Sequence, residues 1–292
     1  MYTDLKKIII GTANLENHYG FSKTKLAINE FKKILKLAKK KNINTLDIAP
    51  EYKNVFNILN EQDLTGWNIY SKISNIPNDK KLIDEYILST IIQSLKNINF
   101  EKFKGIMIHW PWDLKKNNCH IINTTFKKIK KYKLSNEVGV SIYSNYLKKD
   151  YLDLIDLDFI QCPFNLVDQS LKKKGIIKFL NKKKIKIIIR SIFLQGILLR
   201  KNSNGKKIFK NYPSFSKNLE KFIDKQKNLL KFNLDFIFSQ NFFSNSVIGF
   251  DNFKQFNEIN NLIKKNRERK AISVEEIKSF NKKIINPYEW TF

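Results

Sequence analysis

Cysteine and histidine are scarce in this chain. Only two cysteines, Cys119 and Cys162, occur among 292 residues, and their separation fits no metal-ligand spacing. The three histidines, His18, His109 and His120, form no H-x-x-H motif. We therefore expect two ordinary thiols and no metal site.

Long apolar runs are also missing. The first residues, "MYTDLKKIIIGTANL", contain an apolar run that is too short for the core of a signal peptide. No stretch approaches the roughly 20 apolar residues that span a membrane. The sequence thus predicts a soluble, cytoplasmic protein with no membrane partner. Its 42% of hydrophobic residues are enough for a sizeable core.

Acidic residues are outnumbered by basic ones, 27 against 54, which gives a net charge of +27. Lysines cluster in segments 31–41, 126–133 and 181–187, mostly at helical spacing beside Ile, Leu and Phe. This pattern is typical of the solvated faces of amphipathic helices. Nucleic-acid binding is the alternative, but the chain has no recognisable nucleic-acid-binding motif. We expect only weak, salt-sensitive association with polyanions and no specific nucleic-acid partner.

Short β-branched runs alternate eight times with longer amphipathic segments. The runs are continuously apolar, which is typical of parallel strands that are buried on both faces. Eight such units in fewer than 300 residues predict a single (β/α)8 TIM barrel over residues 1–292. A doubly wound sheet is the alternative, but the first junction, "GTANLENHYG", lacks a G-x-G-x-x-G motif. The predicted strands are 7–13, 45–49, 67–73, 105–110, 137–142, 158–164, 185–193 and 246–250; the predicted helices are 25–41, 53–61, 81–98, 118–132, 146–155, 172–183, 216–232 and 253–265.

Two further segments stand out. Residues 201–217 are polar and predict a long loop after strand seven, either a flap over a bound cofactor or a plain surface loop. Residues 284–292 form an aromatic tail. Together with Trp110 and Trp112, that tail either frames a pocket or covers the flank of the barrel.

Polar residues end nearly every predicted strand. In a barrel of this type the chemistry lies at the carboxyl ends of the strands, so these residues predict a ligand site. Asp47 ends a buried strand and needs a cationic partner, which Lys72 on the next strand can supply. The strand-end residues are Asp47, Lys72, His109, Ser141, Gln161 with Asn165, Arg190 with Ser191, and Gly249.

These motifs, taken in order, resemble the aldo/keto reductase family over nearly the whole chain. The matching stretches begin with "DIAPEY" on strand two, "IYSKI" on strand three and "IMIHWPWD" on strand four. They continue with "EVGVSIYS", "DFIQCPFNLVDQ", "IIIRSIFLQGILL" and "SVIGFDNFKQFNEI" on the later strands. Within the family, "RSIFLQGILL" is similar to bacterial members associated with surface-sugar biosynthesis.

The resemblance implies an NAD(P)H-dependent oxidoreductase that reduces a small-molecule aldehyde or ketone, including a sugar. It assigns the role of general acid to Tyr52, with Lys72 and Asp47 behind it and with His109 orienting the substrate carbonyl. A free phenol has a pKa near 10, and an adjacent ammonium lowers that pKa by stabilising the phenolate. We therefore expect Lys72 to lower the pKa of Tyr52.

The resemblance also implies a dinucleotide that lies extended across the barrel mouth. NADP(H) is favoured over NAD(H) because of the family. Asp251, however, occupies a position where NADPH-preferring relatives carry Arg or Lys, and it would repel a 2′-phosphate; Lys254 could bind that phosphate instead. The implied cofactor contacts are Ser141 and Gln161 to the carboxamide, Arg190 stacked on the nicotinamide, Ser191, Phe193 and Gln195 along the pyrophosphate, and Gly249, Asp251 and Lys254 at the adenosine.

Two departures from the family pattern motivate an alternative function. After Tyr52 the chain reads "KNVF" in place of G-x-S-E, and Ile142 replaces an asparagine that often follows the strand-five serine. The alternative is a catalytically weak barrel that acts as a regulatory or scaffolding subunit.

Overall fold

Eight parallel strands form a closed barrel in the computed structural model, which describes residues 4–20, 23–52, 54–143, 152–173, 175–200, 208–265, 272 and 274–290. Each strand pairs with the next, and the first pairs with the last from Ile8↔Ser246 to Gly11↔Gly249. The predicted (β/α)8 barrel is confirmed. The strands are β1 (Ile8–Gly11), β2 (Thr45–Asp47), β3 (Asn68–Ile73), β4 (Phe103–Ile108), β5 (Ser135–Ser141), β6 (Phe159–Pro163), β7 (Lys186–Arg190) and β8 (Asn245–Gly249).

Helices surround the barrel and bury one face each against it. On the first helix, Phe31, Ile34 and Ala38 are fully buried, whereas Lys32 and Lys36 are exposed. This division follows the helical period that the sequence predicted. The helices in the described part of the chain are α1 (Ile28–Lys40), α2 (Val55–Asn60), α3 (Lys80–Asn97), α4 (Cys119–Lys131), α5 (Ile176–Lys182), α6 (Pro213–Lys225), α7 (Leu229–Phe238), α8 (Phe253–Lys265) and α9 (Lys282–Ile285).

The prediction of one helix over 216–232 is wrong, because two helices occupy this region. The first ends at Lys225, and the second begins after Asn228, whose side chain accepts a hydrogen bond from the Lys231 backbone N–H. An asparagine in this position caps a new helix and favours a break in the chain before it. The predicted helix 146–155 lies mainly outside the described residues.

The predicted loop 201–217 is also too long. Helix α6 already begins at Pro213, a residue that favours the first turn of a helix because its ring fixes φ. Phe209 is fully buried and packs edge-on against Phe215 and Trp290. Residues 201–207 lie outside the described part of the chain.

An apolar layer fills the inside of the barrel below its carboxyl-terminal end. Tyr70 and Phe159 are the large residues of this layer, and glycines on neighbouring strands make room for them. A Cβ atom at Gly105 would lie 2.4 Å from Cε1 of Tyr70, and one at Gly139 would lie 2.7 Å from Cε2 of Phe159. Since side chains alternate along a strand, the residues two positions further on form the next layer of the interior. They are Gly11, Lys72, His109, Ser141, Gln161, Arg190 and Gly249.

The lysine clusters lie on the outer, solvated faces of the helices, as the sequence predicted. Several of these lysines pair with carboxylates at the surface, including Lys127 with Asp156 at 3.4 Å and Lys183 with Asp153 at 2.6 Å. None of the described helices is both long enough and apolar enough to cross a membrane. The cytoplasmic location stays a prediction.

Candidate active site

Asp47 and Lys72 meet at the ends of the adjacent strands β2 and β3. Lys72 Nζ donates hydrogen bonds to Asp47 Oδ1 and, at 3.1 Å, to the carbonyl of Ile48. Both charged side chains are almost completely buried. The second carboxylate oxygen of Asp47 accepts a hydrogen bond of 2.7 Å from the Gln161 amide. Asp47 therefore has the cationic partner that its sequence position requires, and the pair is fixed from a third strand.

Tyr52 reaches the same ammonium from the turn between β2 and α2. Lys72 Nζ donates to the Tyr52 hydroxyl at 3.1 Å and lies 4.9 Å from the ring centroid. An ammonium has only donors, so the Tyr52 oxygen accepts here, and its own proton is left for a ligand.

The expectation that Lys72 lowers the pKa of Tyr52 is wrong for the free protein. Burial raises the pKa of Tyr52 well above its usual value, the Asp47 carboxylate raises it further, and the Arg190 guanidinium opposes both only in part. The negative charge of Asp47 and the loss of hydration disfavour a phenolate. Tyr52 therefore keeps its proton at neutral pH.

His109 follows β4 and lies close to Tyr52, with ring centroids 6.4 Å apart. Its Nδ1 is 2.9 Å from Ser74 Oγ and 3.3 Å from Glu51 Oε2. Burial lowers the pKa of His109, and the hydrogen bond with Glu51 opposes that shift in part. The imidazole is therefore neutral at pH 7, and all four predicted catalytic residues stand together.

An aromatic wall lies beside His109. The His109 ring stacks on Trp110 at 4.2 Å between centroids, and Trp110 stacks on Trp112 at 4.8 Å. Tyr288 of the C-terminal tail meets Trp110 edge-on at 5.0 Å and Tyr143 at 6.2 Å. The tail thus contributes to the barrel mouth, and Tyr143 is a member of the wall that the sequence reasoning missed.

The family follows from a match over almost the whole chain. The model of the aldo/keto reductase family matches residues 7–282. The chain belongs to the aldo/keto reductase family. It is therefore an oxidoreductase, and the fold and family support activity on carbonyl compounds.

Solved aldo/keto reductases share its fold. An aldo-keto reductase from Bacillus halodurans, in a holo form, superposes with a TM-score of 0.70 at 16% identity, covering 93% of this chain and 89% of that one. The glycerol dehydrogenase from Gluconobacter oxydans gives a TM-score of 0.63 at 19% identity, covering 92% and 88%. No curated protein matches the sequence.

Arg190 and the loop after β7 border the mouth of this aldo/keto reductase. The Arg190 guanidinium carbon lies 4.7 Å from the centroid of the Tyr143 ring. Three non-glycine residues of the loop, Ser191, Leu194 and Gln195, have φ between 47° and 55°. Such left-handed backbone costs free energy and clusters at functional sites.

The same loop offers free backbone donors. Within the described residues, the N–H groups of Ile192 and Phe193 donate to no acceptor. Successive N–H groups beside a left-handed residue can form a concave anion site. The loop also touches the segment after β1, because a Cβ on Gly20 would lie 3.2 Å from the Gln195 carbonyl oxygen.

The residues that were predicted to contact the carboxamide differ in how many of their hydrogen-bonding groups are still available. Ser141 and Gln161 face each other in the register of β5 and β6, and both are buried. The Gln161 amide already donates to Asp47, which leaves its side-chain oxygen available to a ligand. Asn165 is already engaged, since its amide donates to Ser191 O in the loop after β7 and its oxygen accepts from Asp168 N in its own turn. Ile142, which replaces the asparagine of relatives, belongs to the apolar core between barrel and helices.

Carboxylates dominate the end of β8. Asp251 Oδ1 accepts a hydrogen bond of 2.6 Å from Thr24 Oγ1, and Glu30 Oε2 accepts one of 2.9 Å from the Phe253 N–H at the start of α8. Lys254 is exposed on the first turn of this helix. Gly249 is exposed, and the nearest atom to a Cβ there would be 3.9 Å away, so this strand end is open.

Asp168, in the turn after β6, should make stability depend on pH. Burial raises the pKa of Asp168 to about 6, and its Oδ2 has no hydrogen-bond partner in the described part of the chain. The folded protein then binds more protons than the unfolded one between about pH 4 and pH 6, so stability falls as pH rises through this window. Asp168→Asn removes the titration. The free energy of unfolding of Asp168→Asn minus that of the wild type should therefore rise by about 1–3 kcal/mol from about pH 4 to about pH 7.

Urea denaturation of both proteins at the two pH values measures this difference. Asp156→Asn is the matched control, because Asp156 is exposed and, within the described residues, pairs with the exposed Lys127 and the partly buried Asn123. A difference for Asp168→Asn that stays constant with pH would contradict the prediction.

Proposed function

We propose that this aldo/keto reductase reduces a small aldehyde or ketone to an alcohol, with a nicotinamide dinucleotide as hydride donor and Tyr52 as general acid. The observation that carries the proposal is the chain of contacts from Asp47 through Lys72 to the Tyr52 hydroxyl. A catalytically weak scaffold is not favoured, because it has no need of this buried, fully assembled constellation.

Each residue of the constellation has a distinct task. A carbonyl that accepts hydride develops negative charge on oxygen and needs a proton. Tyr52 holds that proton at neutral pH because its pKa is raised by burial and by Asp47. Once the proton has left, the Lys72 ammonium at 3.1 Å stabilises the phenolate. Asp47 and Gln161 hold the ammonium in place.

The residues at the mouth fit a nicotinamide dinucleotide. The free N–H groups of Ile192 and Phe193 suit phosphate oxygens. Ser141 and the remaining Gln161 oxygen would hold the carboxamide, and the planar Arg190 side chain would stack on the nicotinamide. Ser191, Phe193 and Gln195 would follow the pyrophosphate, with Gly249, Asp251 and Lys254 at the adenosine. When bound, the cofactor supplies the hydride.

The preference between NADP(H) and NAD(H) depends on Asp251. NADP(H) stays the prediction from the family, yet the carboxylates of Asp251 and Glu30 would both oppose a 2′-phosphate at this strand end. Asp251→Arg should tighten NADPH binding about ten- to a hundredfold and leave NADH binding nearly unchanged, because Arg offers a bidentate partner to phosphate. Tryptophan-fluorescence titration of both dinucleotides measures the change.

Lys254→Ala completes this test. If Lys254 holds the phosphate, its loss should weaken NADPH selectively and reduce the gain from Asp251→Arg. If Asp251→Arg alters neither dissociation constant, Asp251 does not face the ribose.

The function itself is tested in two steps. Trp110 and Trp112 lie in the mouth, so their fluorescence should change when NADPH or NADH binds. A panel of aldehydes and keto-sugars then tests for consumption of the reduced dinucleotide. If neither NADPH nor NADH binds, the proposal is overturned.

A further inference from the structure

Arg190 is a cation inside the barrel wall that has no carboxylate partner among the described residues. It ends β7 and belongs to the interior layer that includes Lys72 and Gln161. The residue is only partly exposed, and it forms no salt bridge within the described part of the chain. Of its five N–H groups, one donates to a described acceptor, Ser191 Oγ, at a long 3.4 Å. Most of its donors are therefore available to a ligand.

The other cation of this layer is already neutralised. Lys72 pairs with the buried carboxylate of Asp47. The remaining members of the layer are a neutral histidine, a serine, a glutamine and two glycines. Among the residues that the structure describes, Arg190 thus carries the charge of this layer that has no counterion. An enclosed charge without a partner costs free energy, so we expect an anionic group of a ligand to pair with it.

The guanidinium lies at one end of the aromatic wall. Its Cζ is 4.7 Å from the centroid of the Tyr143 ring, and the Tyr143 ring meets Tyr288 edge-on at 6.2 Å. Tyr288 in turn meets Trp110 at 5.0 Å, and Trp110 stacks on His109 at 4.2 Å. The wall therefore runs from His109, beside the proposed proton donor, to Arg190.

The charge of Arg190 also acts on the two residues that would hold the reacting carbonyl. Burial raises the pKa of Tyr52 and lowers that of His109, and in both cases the guanidinium of Arg190 acts to lower the pKa. Such an effect indicates that the guanidinium faces the same cavity as both side chains. A ligand whose carbonyl meets Tyr52 can thus present an anionic group to Arg190.

A phosphate of the dinucleotide competes as the partner of Arg190. The free N–H groups of Ile192 and Phe193, which follow the end of the strand, already suit phosphate oxygens. Arg190 instead lies in the barrel interior against Tyr143. A guanidinium stacks through its faces and donates hydrogen bonds through its edge. An anion at the edge is therefore compatible with a nicotinamide on one face.

We propose that Arg190 binds a carboxylate of the substrate, so that the preferred substrates are oxo acids, in which an aldehyde or ketone and a carboxylate are joined in one small molecule. A carboxylate fits because it accepts two parallel hydrogen bonds from the guanidinium edge. The oxo-acid class rests on the proposed reductase function, whereas the binding of a carboxylate at Arg190 does not.

Oxo acids and their methyl esters test the substrate class, because the members of each pair share the carbonyl and the chain but differ in charge. Glyoxylate, succinic semialdehyde and glutaric semialdehyde cover three chain lengths. At saturating dinucleotide, the wild type should reduce at least one acid with a kcat/KM about ten- to a hundredfold above that of its ester. In Arg190→Gln this ratio should fall towards one, mainly through a higher KM for the acid. Arg200→Gln alters an exposed arginine at the far end of the same loop and should keep the wild-type ratio.

Two results of this comparison would overturn the proposal. The first is a wild type that prefers no acid over its ester. The second is an unchanged ratio in Arg190→Gln. If that variant instead binds NADPH and NADH more weakly in a fluorescence titration while the ratio stays the same, Arg190 holds a phosphate of the cofactor.

A binding measurement without turnover separates the carboxylate site from the reductase function. Titration by saturation-transfer NMR should show that succinate binds the wild type at least about tenfold more tightly than succinamide, and that Arg190→Gln loses this difference. Equal binding of succinate and succinamide would overturn the carboxylate site. If succinate binds as expected but the wild type reduces neither acids nor esters, the carboxylate site stands and the reductase function is overturned.

Discussion

Tyr52→Phe is expected to lower kcat for carbonyl reduction by at least about a hundredfold, the usual contribution of a general acid. The substitution removes only the hydroxyl that accepts from Lys72 at 3.1 Å and carries the transferable proton. Dinucleotide binding should be nearly unaffected, because the ring stays in place. Steady-state turnover, together with fluorescence titration of the cofactor, separates these two effects.

Tyr132→Phe is the matched control for this variant. Tyr132 is 57% exposed and lies between α4 and the start of β5, whereas the proposed catalytic residues lie at the carboxyl ends of their strands, so loss of its hydroxyl should leave kcat unchanged. If Tyr52→Phe retains wild-type turnover, Tyr52 is not the acid. Circular dichroism of both variants checks that the barrel is intact.

Asp47→Ala is expected to lower the free energy of unfolding by about 3–5 kcal/mol, the usual cost of leaving a buried charge without its partner. The Lys72 ammonium is only 2% exposed and would retain the Ile48 carbonyl and the Tyr52 hydroxyl as its acceptors. The Gln161 amide would lose its acceptor as well. Denaturation in urea measures the change.

Lys72→Met provides the comparison for a double-mutant cycle. The combination of Asp47→Ala with Lys72→Met removes both charges, so it should cost less than the sum of the two single changes. Additive losses would contradict the idea that the pair acts as a unit. The double variant should also be inactive, because Tyr52 would have no cation to stabilise its phenolate.

The barrel and the pairing of Asp47 with Lys72 could be predicted because both follow from local patterns. The proposed roles of Tyr52 and His109 came from the resemblance to the family. Runs such as "KIIIG" and "IKIIIR" are apolar throughout, which only strands buried on both faces require. Lys72 and Gln161 each stand two residues after a large interior side chain, Tyr70 and Phe159. The period of two thus brings polar residues into the layer that a ligand can reach.

The contacts of Glu51 could not be predicted in this way. An acidic residue in a turn is ordinarily solvated, and nothing in "DIAPEY" shows that the turn after β2 reaches the end of β4. The same holds for Tyr288, which meets Trp110 only because the tail crosses the mouth. The sign of the pKa shift of Tyr52 depends on the balance between burial and two opposite charges, which exists only in the folded chain.

The closure of the barrel has a consequence for how the protein is made. Strand β1 obtains one of its two neighbours only when β8 pairs with it, from Ile8↔Ser246 to Gly11↔Gly249. During translation β1 is completed long before β8 leaves the ribosome, so an apolar strand keeps an unpaired edge for most of synthesis. Such edges favour aggregation of nascent chains, and pairing between distant segments is slow. We therefore expect the yield of active enzyme to depend on chaperones that shield the growing chain.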